Sequence, residues 1–312
     1  MRIWEMDLGD VIPQSIYKYR TVSIKHLEDL KEEFQVLDSK GKVGKNPVFR
    51  SYIEQQQPHS LPESFPDAKS IVVMAVFTPL MIAKFHYQGA IHEIMVPHYY
   101  DDGITEDHLK NTILTKIIGS QQYRVENAKM YVLLKRIAVR TGLGKYGRNN
   151  LCYVDEMGSF VKLFAFFTDF VFEEDSWKEV EMLDQCTNCK VCLMQCPTGS
   201  ISEGNFVINV EKCLSLYNEV PGEFPAWIDS DAHNALMGCM RCQLICPANS
   251  EVSKKIQQLD SVSEQETKKI LDECPDDELI HSLSVKLRMF TPESAYYFFP
   301  VISRNLRVLL LK

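Results

Sequence analysis

The sequence predicts an α+β protein, in which an α/β domain is joined to a cysteine-rich domain. The continuous apolar run Ser70–Phe77 is typical of a strand that is covered on both faces. Helical spacing, a glycine loop and an apolar strand then follow one another between 105 and 172, an order that indicates an α/β layer. From Glu181 to about Asn249 the composition changes abruptly to cysteine and proline.

These changes in composition predict three segments. We expect an α/β domain over 1–180 and a cysteine-rich domain over 181–255. Residues 256–312 are expected to form a helical segment that packs on the first domain. The chain of 312 residues is long enough for such a division.

The elements of the first segment follow from local patterns. Helical spacing surrounds Ile24 to Phe34, and a loop rich in Gln and Pro follows from Gln55 to Pro66. The strand Ser70–Phe77 is expected at the centre of a sheet. After a turn at Asp101–Gly103, residues 105–141 lack proline and show apolar spacing, which predicts two helices.

A glycine-rich segment separates these helices from the next strand. Thr141–Asn150 contains three glycines, and Phe160 to Phe172 reads as a long aromatic strand. Residues 251–312 return to helical patterning with breaks at Pro275 and Pro292.

Composition and charge narrow the class of protein. Apolar residues make up 45% and charged residues 24%, as in soluble globular proteins. The net charge of −8 opposes a polyanionic backbone, so a nucleic-acid partner is not expected.

The chain lacks the sequence signals of export and of membrane insertion. The N-terminus carries acidic residues where a secretory signal needs a basic start and an apolar run. The longest apolar stretch, Ile71 to Ala83, is shorter than the roughly 20 residues of a membrane span. A cytoplasmic protein is expected, and in a reducing compartment a dense cysteine group indicates a metal site.

The cysteines form two related motifs. The first, Cys186–Pro197, has the spacing C-x2-C-x2-C-x3-C-P of bacterial ferredoxins, in which the fourth cysteine binds the other cluster. The second consists of Cys213 and the run Cys239–Pro247, which repeats the C-x3-C-P ending. Two [4Fe–4S] clusters are predicted. The first is assigned Cys186, Cys189, Cys192 and Cys246, and the second Cys196, Cys213, Cys239 and Cys242.

Thiolates suit this role because soft sulfur matches iron–sulfur cores. Pro197 and Pro247 stop the backbone from continuing as a helix after the last ligand. Structural zinc sites are the alternative, since isolated C-x-x-C pairs are common in them. Cys152 and Cys274 lie outside the pattern and are interpreted as small buried or incidental thiols that bind no metal.

The second motif stands in a longer phrase that resembles a known family. Cys213–Pro225 followed by Met237–Asn249 is similar to the ferredoxin-like segment of epoxyqueuosine reductases, which are tRNA-modifying relatives of reductive dehalogenases. The resemblance extends upstream to Gly142–Asn149, Gly158–Phe160 with Thr168-Asp169, and Pro66–Val73, and covers roughly 60 to 305.

The resemblance implies a nitroreductase-like α/β domain that binds a corrinoid, beside a bacterial-ferredoxin-like domain with two clusters. In this family a Co(I) corrin performs the reduction and the clusters deliver its electrons. Three glycines in six positions permit close backbone approach to a ligand. The predicted cofactor-binding residues are those of this loop, namely Gly142, Gly144, Lys145, Gly147, Arg148 and Asn149. A tight helix-to-strand turn with solvated basic residues is the alternative.

The chain departs from the family pattern in two ways. The family's proton-donating aspartate, counted about fourteen residues before the glycine loop, falls on Ala128, and Glu126 is the nearest acid. The helical-repeat extension that helps the family grip tRNA is not expected after residue 312. The remaining substrate-facing candidates are chosen by position, and each is also a common core or surface residue: Tyr123, Glu126, Tyr131 and Tyr146.

The sequence therefore predicts an iron–sulfur oxidoreductase. We expect a cobalamin-dependent reductase that acts on a small molecule, on a partner-bound substrate or on the corrinoid of a partner protein, with ferredoxin or flavodoxin as its low-potential electron donor. Three alternatives stay open: a non-catalytic electron carrier, a flavin enzyme on the nitroreductase-like scaffold, and a true epoxyqueuosine reductase.

Overall fold

A computed structural model describes residues 4–6, 15–55, 59–100, 103–204, 206–289 and 291–311. The chain divides into two compact units. The first unit contains Met1–Phe77, Gly103–Asn188 and Asn205–Val207, and the second contains Thr78–Asp102, Cys189–Gly204 and Ile208–Lys312.

The strands are short and mostly paired in antiparallel fashion. In chain order they are β1 (Trp4–Met6), β2 (Ser15–Ser23), β3 (Ser70–Phe77), β4 (Leu80–Tyr87), β5 (Ala90–Val96), β6 (Val125–Asn127), β7 (Lys145–Tyr146), β8 (Cys152–Tyr153), β9 (Val161–Thr168) and β10 (Ile256–Gln258).

The helices range from one turn to five turns. In chain order they are α1 (His26–Ser39), α2 (Pro47–Gln55), α3 (Glu106–Thr112), α4 (Leu134–Arg140), α5 (Val191–Met194), α6 (Leu214–Asn218), α7 (Arg241–Leu244), α8 (Glu264–Leu271), α9 (Asp277–Leu287) and α10 (Pro292–Leu310). A π-helix over Ile113–Ile118 extends α3. None of the helices among the described residues is long and apolar enough to cross a membrane.

The first unit is built on a sheet with the strand order β1-β2-β3-β9-β6, and β3 lies at its centre as predicted. Ile71, Val73 and Ala75 pack in one core with residues of α1 and α4. Val72 and Met74 pack in the other core with residues of α3. Both faces of β3 are therefore buried, which explains why its sequence is apolar without alternation.

Two helices do occupy the 105–141 region, but a strand separates them. β6 pairs antiparallel with β9, so the region returns to the sheet between α3 and α4. Three residues are too few to show a strand period in the sequence.

The second unit contains a sheet with the order β10-β4-β5. β4 and β5 form a hairpin whose turn places Gln88 and Gly89 in the left-handed region, with φ of 51° and 75°. Two such residues favour the twist of a tight hairpin turn. The apolar stretch Ile71 to Ala83 thus covers two strands, because β4 begins directly after Pro79.

The C-terminal helices cover this hairpin. Met81 and Phe85 share a buried core with Leu279, Leu283 and Phe299 from α9 and α10. The predicted helix breaks are confirmed, because α9 begins two residues after Pro275 and α10 begins at Pro292, where Thr291 caps the helix.

The compact units do not follow the predicted boundaries at 180 and 255. The hairpin over 80–96 lies in the second unit, although it falls within the expected first domain. The physical reason is its apolar face, which is buried by α9 and α10 in a shared core.

Candidate iron–sulfur site and glycine loop

The two cysteine motifs have similar local structures. In the first motif Cys192 lies in α5, and Cys196 is two residues beyond the end of this helix, directly before Pro197. In the second motif Cys242 lies in α7, and Cys246 precedes a 3-10 turn that starts at Pro247. The short helices α5 and α7 contact each other. Each motif is therefore one helical turn that ends at a Cys-Pro pair.

Donor groups lie against the cysteine sulfurs. The Ser200 N–H donates to Cys196 Sγ at 3.3 Å, and Asn234 Nδ2 donates to Cys239 Sγ at 3.2 Å. Hydrogen bonds of this kind stabilise negatively charged sulfur and tune the potential of a cluster. The protein thus supplies each of these two sulfurs with a hydrogen-bond donor that stabilises the thiolate form.

Three cysteines of the second predicted ligand set lie near one another. Burial raises the pKa of Cys213, and the nearby Cys196 raises it further, while Ser215 and Ser200 act in the opposite direction through hydrogen bonds. The pKa of Cys239 is also raised by burial and by its proximity to Cys213 and Cys196. The crossed assignment of these cysteines to one cluster stays a prediction.

All eight motif cysteines are partly exposed, whereas Cys152 is buried and Cys274 is exposed. Burial raises the pKa of Cys152 to about 12, which keeps it a neutral thiol. Among the residues that the structure describes, no three His, Cys, Asp or Glu side chains are drawn together tightly enough to hold one metal ion. The predicted set Cys186, Cys189, Cys192 and Cys246 stays a prediction.

The glycines of the loop serve packing within the protein. A Cβ on Gly144 would stand 2.6 Å from both Cys152 Sγ and the Tyr153 carbonyl oxygen, and one on Gly147 would overlap the Tyr153 ring. Gly142 has a φ of 68° and follows the last turn of α4. The close approach that these glycines permit is thus an approach to neighbouring protein atoms, and the cofactor-binding role of the loop stays a prediction.

The polar side chains of the loop bind protein groups. Lys145 Nζ pairs with Glu181 at 2.9 Å and with Asp184 at 3.7 Å. Asn149 Nδ2 donates to the Tyr153 hydroxyl at 3.0 Å. These contacts fit the alternative of a structural turn.

The loop also supports the segment that leads into the first motif. Arg148 donates to the Cys186 carbonyl oxygen. The Tyr146 N–H donates to the Glu181 carbonyl at 2.9 Å, and the Leu183 N–H donates to the Tyr146 carbonyl at 2.9 Å. No local pattern predicts this role, since a basic residue after glycine is equally typical of an anion site.

Each of the four substrate-facing candidates contacts other protein groups. Tyr123 packs its ring edge-on against Phe170 at 4.9 Å. Glu126 lies on β6, pairs with Arg124 and accepts a hydrogen bond from Ser64 at 3.3 Å. These contacts account for both side chains structurally.

Tyr131 and Tyr146 pack against aromatic rings. Tyr131 is tilted on Phe167 at 6.0 Å, and buried Tyr146 stacks on Phe206 at 4.1 Å. Burial raises the pKa of Tyr146 far above its usual range, so it is a neutral phenol. Ala128, the counted position of the donor, is fully buried.

Three further residues lie beside the second cysteine run, and sequence reasoning missed all three. His98 and Tyr99 are far from the motifs in sequence, whereas Glu219 lies six residues after Cys213. His98 Nε2 is 3.1 Å from Gln243 Oε1, next to Cys242. Only the tertiary structure reveals these neighbours, because nothing in the local pattern distinguishes them.

Comparison with known proteins supports the iron–sulfur prediction. Residues 185–249 match the family model of a 4Fe-4S double cluster binding domain. This span contains all eight motif cysteines. The prediction of two [4Fe–4S] clusters in a ferredoxin-like domain is confirmed.

Curated relatives include epoxyqueuosine reductases. The chain is 30% identical to that of Staphylococcus aureus over 197 residues, which cover 61% of this chain and 50% of the relative. It is 34% identical to that of Bacillus subtilis over 195 residues, which cover 59% and 48%. The chain thus spans about half the length of these relatives.

Solved structures show the same fold. The epoxyqueuosine reductase of Streptococcus thermophilus superimposes with a TM-score of 0.62 at 18% identity, covering 94% of this chain and 76% of that one. For the Bacillus subtilis structure the TM-score is 0.65 at 20% identity, covering 94% and 77%. The predicted mixed α/β fold is confirmed, and the chain combines this fold with a 4Fe–4S double cluster binding domain over residues 185–249.

Proposed function

We propose that this chain is an electron-transfer reductase, in which two [4Fe–4S] clusters pass electrons from a low-potential donor to a second redox centre. The observation that carries the proposal is the double-cluster domain over 185–249, with sulfurs from its two motifs close together. A ferredoxin or a flavodoxin is the proposed class of electron donor.

The proposed ligand sets keep the crossed pattern. One cluster takes Cys186, Cys189, Cys192 and Cys246, and the other takes Cys196, Cys213, Cys239 and Cys242. The mutual proximity of Cys196, Cys213 and Cys239 supports the second set. The donor set fits iron–sulfur chemistry, because the sulfurs are soft ligands and two of them accept hydrogen bonds from the protein.

The proposed second centre is a cobalt corrin, which when reduced supplies electrons to the substrate. The resemblance to a corrinoid-dependent family supports this choice. The glycine loop does not fit as its cradle, because Gly144 and Gly147 are closed off by protein atoms and Lys145 and Asn149 are bonded internally. We therefore assign no residue of the loop to the corrin and derive no reaction step through it.

The proposed substrate is a small molecule or a partner-bound group. Epoxyqueuosine in tRNA is the second candidate, favoured by the curated relatives and by a solved relative, with a TM-score of 0.64, that holds an epoxyqueuosine-modified tRNA stem loop. The sequence predicts no nucleic-acid partner, and conversion of epoxyqueuosine in tRNA tests that prediction directly.

The first experiment is metal and sulfide analysis after anaerobic reconstitution. Two four-iron clusters require about eight irons and eight acid-labile sulfides per chain. Protein isolated anaerobically with zinc in place of iron would overturn the proposal. Cys274→Ser is the matched control, since this exposed cysteine lies outside both motifs and its loss should leave the iron content unchanged.

The second experiment distinguishes the redox centres and substrates. Reconstitution with cobalamin, followed by gel filtration and a visible spectrum, should give corrinoid bands that survive removal of the clusters. A flavin released on denaturation would support the flavin alternative, and clusters alone would support an electron carrier. Conversion of epoxyqueuosine in tRNA from a reductase-deficient strain would place the second candidate first.

A further inference from the structure

The turn His98–Tyr100 is tied to the helix of the second cysteine motif. His98 is buried, and burial lowers its pKa to about 4, so its ring is neutral. Its Nδ1 lies 2.7 Å from the Thr78 hydroxyl and its Nε2 lies 3.1 Å from Gln243 Oε1. Gln243 is buried in α7, directly after Cys242. The position of the turn is thus fixed relative to the cysteines.

The neighbouring Tyr99 hydroxyl lies against the backbone that leads into Cys239. A Cβ on Gly238 would overlap the Tyr99 hydroxyl oxygen and stand 3.1 Å from a Glu219 carboxylate oxygen. Gly238 also has a φ of 58°, which favours glycine. The hydroxyl therefore occupies the place where any other residue before Cys239 would put its side chain.

Two contacts place the Tyr99 hydroxyl beside the second cysteine run. It lies against Gly238, which directly precedes Cys239, and the neighbouring His98 is bonded to Gln243, which directly follows Cys242. Both cysteines belong to the same proposed ligand set. A tyrosine hydroxyl is a hydrogen-bond donor, so the turn brings a donor close to this set.

We propose that Tyr99 donates a hydrogen bond to the cluster of Cys196, Cys213, Cys239 and Cys242 and raises its reduction potential. The inference rests on the proposed function, since it requires the cluster. Reduction adds negative charge to the cluster, and a donor stabilises that charge. The nearby Glu219 carboxylate acts in the opposite direction, because like charges repel.

Tyr99→Phe is the direct test, because it removes the hydroxyl and keeps the ring. Tyr217→Phe is the matched control, since the Tyr217 hydroxyl lies in the same unit but donates to the Glu211 carbonyl at 2.7 Å. Each reconstituted variant is titrated anaerobically while both clusters are followed by electron paramagnetic resonance. In Tyr99→Phe one midpoint potential should become more negative with the iron content unchanged, and in Tyr217→Phe neither should move.

A second pair of measurements does not depend on the folding of Tyr99→Phe. Glu219→Gln should make the same midpoint more positive, because it removes a negative charge. Wild-type protein grown with fluorinated tyrosine carries a more acidic, stronger donor, and the same midpoint should again rise. Shifts of opposite sign confined to one cluster are not expected from a purely structural role.

The results separate this inference from the proposed function. Protein that holds no four-iron cluster overturns both. Protein with two clusters overturns only this inference if Tyr99→Phe leaves both midpoints unchanged or shifts them equally. It is also overturned if fluorinated tyrosine leaves both potentials in place.

Discussion

Asn305→Ala should weaken the second unit strongly, because one buried amide serves two carbonyl groups. Asn305 lies on α10, and its Nδ2 donates to the Asn218 carbonyl at 2.9 Å and to the Leu236 carbonyl at 2.8 Å. Asn218 ends α6, and Leu236 lies three residues before Cys239. The amide therefore holds both ends of the segment that connects two proposed cluster ligands.

The expected magnitude follows from the two lost bonds. A buried acceptor left without its donor costs about 1–3 kcal/mol, so two cost ~2–6 kcal/mol in the free energy of unfolding. Native proteins are stable by only about 5–15 kcal/mol, so this is a large share. The cluster proposed for Cys213 and Cys239 should also be lost faster than the other one.

Ser303→Ala is the matched control on the same helix. Ser303 is fully buried, and the structure gives its hydroxyl no hydrogen-bond partner among the described residues. Removing an unpaired buried hydroxyl should leave stability unchanged or raise it. Anaerobic urea unfolding, followed by circular dichroism and by iron–sulfur absorbance, measures both variants. The reasoning is wrong if Asn305→Ala unfolds at the wild-type midpoint or if Ser303→Ala is equally weakened.

Three further outcomes are expected. Gly144→Ala should lower the free energy of unfolding by about 1–3 kcal/mol through overpacking against Cys152. Adding Cys152→Ala removes the contacting sulfur and should restore part of that loss, as thermal melts of the double variant would show. Glu266→Gln should destabilise the fold more than Glu264→Gln, the control on the same helix. Although burial raises the pKa of Glu266, hydrogen bonds from a lysine and two serines lower it to about 2. The pKa of Glu266 in the folded protein lies below its unfolded value, so the carboxylate contributes fully to the free energy of unfolding above about pH 5. That contribution is lost as the pH falls toward the folded pKa. The difference in free energy of unfolding between wild type and Glu266→Gln should therefore be constant between about pH 5 and 8. Cys196→Ala should remove the cluster proposed for Cys196, Cys213, Cys239 and Cys242, as electron paramagnetic resonance would show. Selective loss of the other cluster would show that Cys196 belongs to that cluster and that the proposed ligand sets are wrong.

Structural features that depend on one short segment are predicted correctly from the sequence. The central strand Ser70–Phe77 was predictable because burial on both faces leaves no polar alternation. The double-cluster domain was predictable because ligand spacing is fixed by the size of the cluster and by the helical turn that wraps it. In both cases one short segment contains the whole signal.

Features that depend on distant segments were not predictable. The glycine loop is typical of a ligand-binding loop because glycine permits close approach to the backbone. The sequence does not show whether a ligand or another part of the protein makes that approach. Gly144 approaches Cys152 and Tyr153, which are ordinary residues in the sequence. Likewise Tyr99 lies far along the chain from Cys239, and only the shared packing with Gly238 reveals their proximity.

The same reasoning predicts that residues 181–255 do not form an independent double-cluster domain. Within the second unit, Gln243 is bonded to His98 and the Leu236 carbonyl is bonded to Asn305. A fragment of 181–255 lacks both partners, so two buried polar groups beside the cysteines lose their hydrogen bonds. Each loss costs about 1–3 kcal/mol, and a segment of this size buries only a modest share of its surface when it folds alone. The fragment should therefore retain less iron than the full chain under the same reconstitution, and a fragment with about eight irons and full-chain stability would show that the cysteine region folds alone.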